Sequence, residues 1–380
     1  MTLRVGLVGC GNVAVNFHVP AYRALPDQFA IVGLADPSAE RLELGREAAG
    51  LAPEQVHLEV AELLARDDVD LVDVCTPQHL HREVVQAAAA AGKHVVAEKP
   101  LAAIPADAAA MVSAADAAGV VLGVVHNYLF FPEVVALRAL IDSGELGEIR
   151  SVRVDMLGVV DSPGAAGYRP QWRKDPAASG GGVLMDMLHG VYVAEHLLGA
   201  PIEAVNAFLD ATDGEAVESL ALCRLEAGRS AALVNVGWGL GPGGVAIEGS
   251  AGRAVAHYAA DGTMPWAPFD RIEVTTGSGS RTLDLPPGQQ LVPLVADAMR
   301  DTLADLGAAI TSGRAPAADG ATAQRILEAT VAAYAASALR RTVDLPLTGA
   351  LFERGAVGLT DLDVPAGSPA RRLGLFGLSA

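Results

Sequence analysis

Five short apolar runs in the first 125 residues constrain the fold of this chain more than any other feature. Leu3–Val8, Ala30–Ala35, Leu71–Cys75, His94–Ala97 and Val120–Val125 are rich in Val and Leu, and read as strands covered on both faces. The stretches between them, such as His79–Ala91 and Ala106–Ala118, are Ala-rich and helical in character. Strands alternating with helices predict a parallel sheet with right-handed crossovers.

After about Val125 the pattern changes. A helix over Pro132–Ser143, stopped by Gly144, leads into a long strand, Ile149–Val160, and a loop rich in Pro, Gly and Asp, Asp161–Ser179. From Ile202 to about Leu285 strand follows strand with Gly-bearing turns: Ala204–Asp210, Ser219–Leu225, Ala231–Trp238, Gly244–Glu248, Ala254–His257. Helices near Leu291–Ser312 and Gly320–Arg340 are expected to close this second unit, and the tail after Leu347 to wrap the surface. The expected organisation is an α/β chain. A doubly wound parallel sheet occupies 1–125, an α+β unit with a large, mainly antiparallel open sheet occupies 126–348, and an extension occupies 349–380.

Composition narrows the function classes. Hydrophobic content of 51% with 19% charged residues marks a globular chain, and no apolar run approaches the roughly 20 residues of a membrane helix. The first residues, MTLRVGLVGCGN, run straight into a strand, so no signal peptide is expected. With a net charge of −18 and no basic cluster beyond pairs such as Arg340–Arg341, nucleic acid and anionic membrane are not expected partners. Cys10, Cys75 and Cys223 are too widely spaced for a disulfide framework or a metal site, and read as small buried thiols of a cytoplasmic protein.

Three motifs carry chemistry. Gly9-Cys10-Gly11-Asn12-Val13-Ala14 follows the first strand and opens a helix, where glycines permit the tight turn and close approach of a pyrophosphate to the helix N-terminus. This is a Rossmann-type dinucleotide loop, and Asp36 at the end of strand two is placed to bond ribose hydroxyls. That carboxylate would repel a 2′-phosphate, which favours NAD over NADP, although Arg41 stands nearby. Next comes Cys75-Thr76-Pro77-Gln78-His79-Leu80-His81 at a strand end, where Thr76, Pro77 and His81 are candidates for the cofactor wall and His79 for the surface. The third, Glu98-Lys99-Pro100, also lies at a strand end, where a lysine can hold a developing alkoxide as hydride leaves.

The ordered set GxGxxA, Asp, Thr-Pro, Glu-Lys-Pro resembles the Gfo/Idh/MocA oxidoreductases. His126-Asn127-Tyr128, Pro132, the run Leu140–Ile149, Trp172-Arg173 and the glycine triplet Gly180–Gly182 before Asp186 extend the likeness over most of the chain. The resemblance implies that Lys99, Asp186 and His189 surround the nicotinamide and the carbon being oxidised. The family pattern Asp-x-Gly-x-His-x-x-Asp is one residue shorter here, so His189 takes the histidine position and Tyr192 replaces the second aspartate. A single continuous helix would put Leu184, Met187, Leu188, Val191, Glu195 and Leu198 on one arc and Asp186, His189 and His196 roughly opposite.

These readings converge on an NAD-dependent oxidoreductase of a sugar, cyclitol or related polyhydroxylated compound. His189 is expected to remove the hydroxyl proton, Asp186 to orient it and Lys99 to stabilise the oxyanion. Gly9, Cys10, Gly11, Asn12, Val13, Asp36, Thr76, Pro77, His81, Glu98 and Lys99 are expected around the cofactor. Asn127, Tyr128, Trp172, Arg173 and Tyr192 are expected around the substrate, with no metal. A competing reading is glycosidic cleavage by transient oxidation, elimination and re-reduction; another is a non-catalytic dinucleotide sensor. A homodimer or homotetramer is expected, because an open sheet invites self-association.

Overall fold

The computed structural model describes residues 2–159, 171–211, 215–239, 243–258, 269–286 and 291–378. Strand β1 (Leu3–Val8) leads through the Gly9–Ala14 loop into a helix that winds through a π turn, Ala14–His18, and continues as α1 (Val19–Arg23). Then come β2 (Phe29–Ala35), α2 (Ala39–Ala49), β3 (Val56–His57), α3 (Val60–Leu64), β4 (Leu71–Val74), α4 (His81–Ala90), β5 (His94–Ala97), α5 (Pro105–Ala118) and β6 (Leu122–Val124). The six strands are all parallel in the order β3-β2-β1-β4-β5-β6. The two-residue β3 is the one strand of this sheet that the apolar runs did not reveal, because it carries no apolar run of its own.

The second unit begins with α6 (Pro132–Asp142) and β7 (Ile149–Val159), followed by the short helices α7 (Pro176–Ser179) and α8 (Val183–Asp186) and by α9 (His189–Leu198). Strands β8 (Ala204–Asp210), β9 (Leu220–Ala227), β10 (Ser230–Trp238), β11 (Gly243–Gly249), β12 (Gly252–Tyr258), β13 (Phe269–Thr276) and β14 (Gly279–Asp284) follow. After α10 (Leu291–Ser312) and α11 (Gly320–Leu339), β15 (Val343–Asp344) completes a nine-stranded sheet, β14-β13-β12-β11-β7-β10-β9-β8-β15. Only β7 and β10 pair in parallel; every other pair is antiparallel. Helices α9 and α11 cover one face of this sheet.

Two expectations need refinement. Helix α10 serves both units: Leu294 and Ala298 join the core that includes the second unit, whereas Met299, Leu303 and Leu306 belong to the cluster formed by Leu3, Val5 and Leu7 of β1. Strand β1 is thus buried on both faces, with α10 on one side and Leu63 of α3 against Gly6 on the other. The tail does more than wrap the surface. In α12 (Gly349–Arg354), α13 (Pro369–Arg372) and the turns around them, Leu351, Leu359, Ala370, Leu375 and Phe376 are buried, and the Phe376 ring lies 4.8 Å from that of Tyr334 in α11.

Candidate active site

The carboxyl ends of β1, β2, β4 and β5 face one cleft of about 1290 Å³, beside the point where strand order reverses between β1 and β4. Gly9 has φ +95°, and a Cβ on it would lie 2.9 Å from the Cys75 carbonyl. A Cβ on Gly11, by contrast, would meet nothing within 4 Å. The first glycine makes the turn and the second keeps its approach open, which is what a pyrophosphate over a helix start requires. Asp36 lines the cleft and orders its rim: Oδ2 accepts from Cys10 N at 2.7 Å and Oδ1 from Ser38 N at 2.8 Å. Thr76 Oγ1 is a buried polar atom with no partner among the described residues, in the wall of the same cleft. An open glycine cradle, a carboxylate at the end of β2 and an unpaired hydroxyl beside them suit a dinucleotide.

His81, expected at that wall, is turned away from the cleft. Its ring nitrogens face the carbonyl oxygens of Leu101 at 2.9 Å and Thr76 at 2.7 Å, so it braces the loops after β4 and β5 from behind.

Below the cleft lies a knot that the sequence reading missed. His18, fully buried, places Nδ1 2.7 Å from Asp73 Oδ2 and Nε2 2.9 Å from Glu98 Oε1. Burial alone pulls the imidazole pKa down, but the Asp73 carboxylate and its neighbours more than reverse this, leaving it well above the ordinary value. Glu98 is also buried, which pushes its carboxyl up, yet the bond from His18 and the nearby Lys99 bring it net below the usual range. Its other oxygen accepts from Lys99 N at 2.9 Å. Cys75 brings its sulfur close enough that His18, Asp73 and Cys75 could all reach one ion, but both imidazole nitrogens are already committed to carboxylates. A signal was available: Asp73 sits inside a buried strand, Leu-Val-Asp-Val, and a buried charge demands a partner.

The expected single helix after the glycine triplet is broken. Helix α8 ends at Asp186, Met187 leaves helical geometry (φ −104°, ψ 33°) and α9 starts at His189. Gly190 N therefore bonds to Met187 O at 3.1 Å, and the Asp186 carbonyl, which a continuous helix would have used, accepts from Lys99 Nζ at 2.6 Å. The Lys99 ammonium also stands 3.7 Å from Asp186 Oδ1. Lys99 and Asp186 line the cleft together. The glycine turn before them is held by buried Glu218, whose carboxylate accepts from Gly182 N and Leu184 N, each at 2.9 Å. Burial pushes the Glu218 carboxyl up to about 7. A Cβ on Gly182 would run into the Glu218 backbone.

Because of the break, His189 does not share a face with Asp186. Its ring is 5% exposed, stacks on Tyr128 at 3.9 Å and sets Nδ1 2.6 Å from the Tyr192 hydroxyl. Burial, Lys99 and His126 drive its pKa well below the ordinary value. His126 stacks on Tyr192 at 4.1 Å and is itself pushed down to about 3 by burial and Lys99. Tyr192 and Asn127 are buried and do not form the cleft wall, and Tyr128 packs between His189 and Phe131. Trp172 does line the cleft, with Lys174 and Trp238, which the sequence did not single out. The side chain of Arg173 lies outside the described residues.

Residues 3–126 match the model of an oxidoreductase family with an NAD-binding Rossmann fold, and residues 134–255 match that of the GFO/IDH/MocA C-terminal domain. A dTDP-3,4-didehydro-2,6-dideoxy-alpha-D-glucose 3-reductase of Streptomyces violaceoruber is 34% identical over 212 residues, 54% of this chain and 58% of that protein. Its counterpart from Streptomyces antibioticus is 30% identical over 300 residues, 78% of this chain and 87% of that protein. The chain spans 53–61% of the length of the first curated relatives it matches. Among solved structures, levoglucosan dehydrogenase in complex with NADH and levoglucosan superposes with a TM-score of 0.79 at 25% identity, covering 91% of this chain and all of that one.

Proposed function

The chain belongs to the Gfo/Idh/MocA oxidoreductase family, and on that premise we propose that it transfers hydride between NAD and a carbinol carbon of a sugar, cyclitol or related polyhydroxylated compound. One observation carries the proposal: Lys99 and Asp186, 87 residues apart, meet on the wall of the cleft that the GxGxxA loop opens. The sugar names of the relatives support the substrate class. When bound, the nicotinamide supplies a hydride acceptor, so a carbinol yields a carbonyl, the reduced dinucleotide and one proton.

The residues of the chain prepare that exchange. Asp36 and the glycine loop hold the adenosine side, with Thr76 and Pro77 shaping the wall. Glu98, fixed by His18, sets the backbone at Lys99. One Lys99 N–H is spent on the Asp186 carbonyl, which aims the ammonium and leaves two donors for a substrate oxygen. Trp172 and Trp238 line the same cleft and offer flat apolar faces to a sugar ring. Asp155 and Asn235 lie on the outer face of the large sheet, near exposed Phe208, Leu222 and Leu233, which supports a homodimer or homotetramer joined there; a monomer in sedimentation would remove that part. Three buried, unpaired cysteines suit a reducing cytoplasm, and no helix of the described residues is long and apolar enough to cross a membrane.

The test is a panel of polyols and sugars deuterated at the carbinol carbons, mixed with NAD and protein. Stereospecific appearance of deuterium in the reduced dinucleotide is expected for at least one member. Product formation with no net reduced dinucleotide would instead favour the redox-neutral cleavage chemistry.

A further inference from the structure

We propose that Tyr192 fixes His189 as the Nε2–H tautomer, so that this imidazole, buried behind the residues that line the cleft, is a neutral hydrogen-bond donor at Nε2 and not the acceptor of a substrate proton. Its part in catalysis rests on the dehydrogenase reading above; the tautomer does not.

The protons around one oxygen decide the tautomer. The Tyr128 backbone N–H, which can only donate, points at the Tyr192 hydroxyl oxygen at 3.0 Å. His189 Nδ1 approaches the same oxygen at 2.6 Å, within the range of an O–H donor bond. If Nδ1 carried a proton, both neighbours would donate to the phenol, and its own proton would be buried with no acceptor among the described residues. Tyr192 is 2% exposed, so water does not relieve that arrangement. If Nδ1 is bare, the phenol proton goes to it and all three groups are satisfied. The remaining proton of a neutral imidazole then sits on Nε2.

Nothing around the ring favours a second proton. Lys99 from the end of β5 and His126 from the end of β6 are the charged or chargeable groups acting on it, with the phenols of Tyr128 and Tyr192 against its face and edge. No carboxylate is hydrogen-bonded to His189 among the described residues. Nε2 has no protein partner there either, yet it is not among the polar atoms sealed from solvent. A neutral N–H at that position can stabilise negative charge growing on a substrate oxygen. With that nitrogen already protonated, the carbinol proton has to leave through a group other than this imidazole; Lys99 stands on the cleft wall.

The experiment is long-range 1H–15N correlation of the imidazoles in the uniformly 15N-labelled, NAD-loaded protein at pH 7. The His189 signals are assigned by their loss in His189→Gln. The expected pattern is a protonated Nε2 and a bare Nδ1 for His189, persisting to below pH 6. In Tyr192→Phe, which keeps the ring stack on His126, both tautomers should appear. A protonated Nδ1 or an imidazolium at pH 7 in the native protein overturns the proposal, whether or not Tyr192→Phe folds. The spectrum needs no substrate, so failure of every polyol to react would sink the dehydrogenase reading and leave this measurement standing. On a substrate that does react, kcat/KM should show no His189 limb near pH 6.5 in the native protein.

Discussion

His18 holds a proton between two buried carboxylates, and its position makes that charge costly to disturb. The ring ties the first helix to the ends of β4 and β5 through Asp73 and Glu98, so it fixes at one point three loops of the cleft. Because its folded-state pKa is raised, its contribution to stability is full below the unfolded value of about 6.5 and falls as pH climbs through the folded value. His18→Gln should therefore cost about 3–5 kcal/mol at pH 6, the usual penalty for stripping one partner from a buried ionic cluster. The gap to the native protein should narrow by pH 9. Urea unfolding of both proteins at the two pH values checks this, and a gap that widened with pH would contradict it. At this scale Lys99 and Asp186 were legible because their motifs sit at strand ends or after a glycine triplet. His18 was not, since a single histidine in an apolar helix says nothing of a carboxylate 55 residues away.

Short elements place the chemistry. The glycine loop works through two residues with opposite demands, and substitution can separate them. Gly9→Ala puts a Cβ 2.9 Å from the Cys75 carbonyl in a left-handed conformation, so it should lower stability by about 1–3 kcal/mol as well as weaken NAD binding. Gly11→Val adds bulk at a site where a Cβ would meet nothing within 4 Å beyond its chain neighbours, so it should leave the thermal midpoint of the free protein nearly unchanged. It should nonetheless weaken NAD binding by more than tenfold, because the side chain enters the space a pyrophosphate needs. Calorimetric titration and thermal unfolding of both variants decide the matter; equal thermal loss in the two would refute the division of labour. The helix of Asp186 and His189 shows the limit of pattern reading at this scale. A wheel assumes constant geometry, and the apolar arc it drew is compatible with either a straight or a broken helix. Only the three-dimensional neighbour, Lys99, reveals the carbonyl that the break at Met187 sets free.

At the scale of the whole molecule, the two sheets were legible because their patterns differ, continuous apolar runs alternating with helical stretches in the first and strand after strand with Gly-bearing turns in the second. What sequence could not say is which sheet an amphipathic helix covers, since α10 presents the same kind of apolar stripe to either. Helix α10 begins more than 280 residues after β1 and closes the face of that strand that Leu3, Val5 and Leu7 form. Its Met299, Leu303 and Leu306 are 0–2% exposed, and burying each is worth about 1.5–3 kcal/mol. Three such side chains approach the whole net stability of an ordinary domain, roughly 5–15 kcal/mol. The dinucleotide-binding half is therefore not self-sufficient, although it is contiguous in sequence and matches a family model by itself. A fragment of residues 1–126 should expose that face, bind a hydrophobic dye and lack a cooperative thermal transition. Fusing residues 291–312 to it through a flexible linker should restore a cooperative transition and NAD binding. A lone fragment that unfolds cooperatively and binds NAD with the affinity of the full chain would show that α10 only decorates a core complete without it.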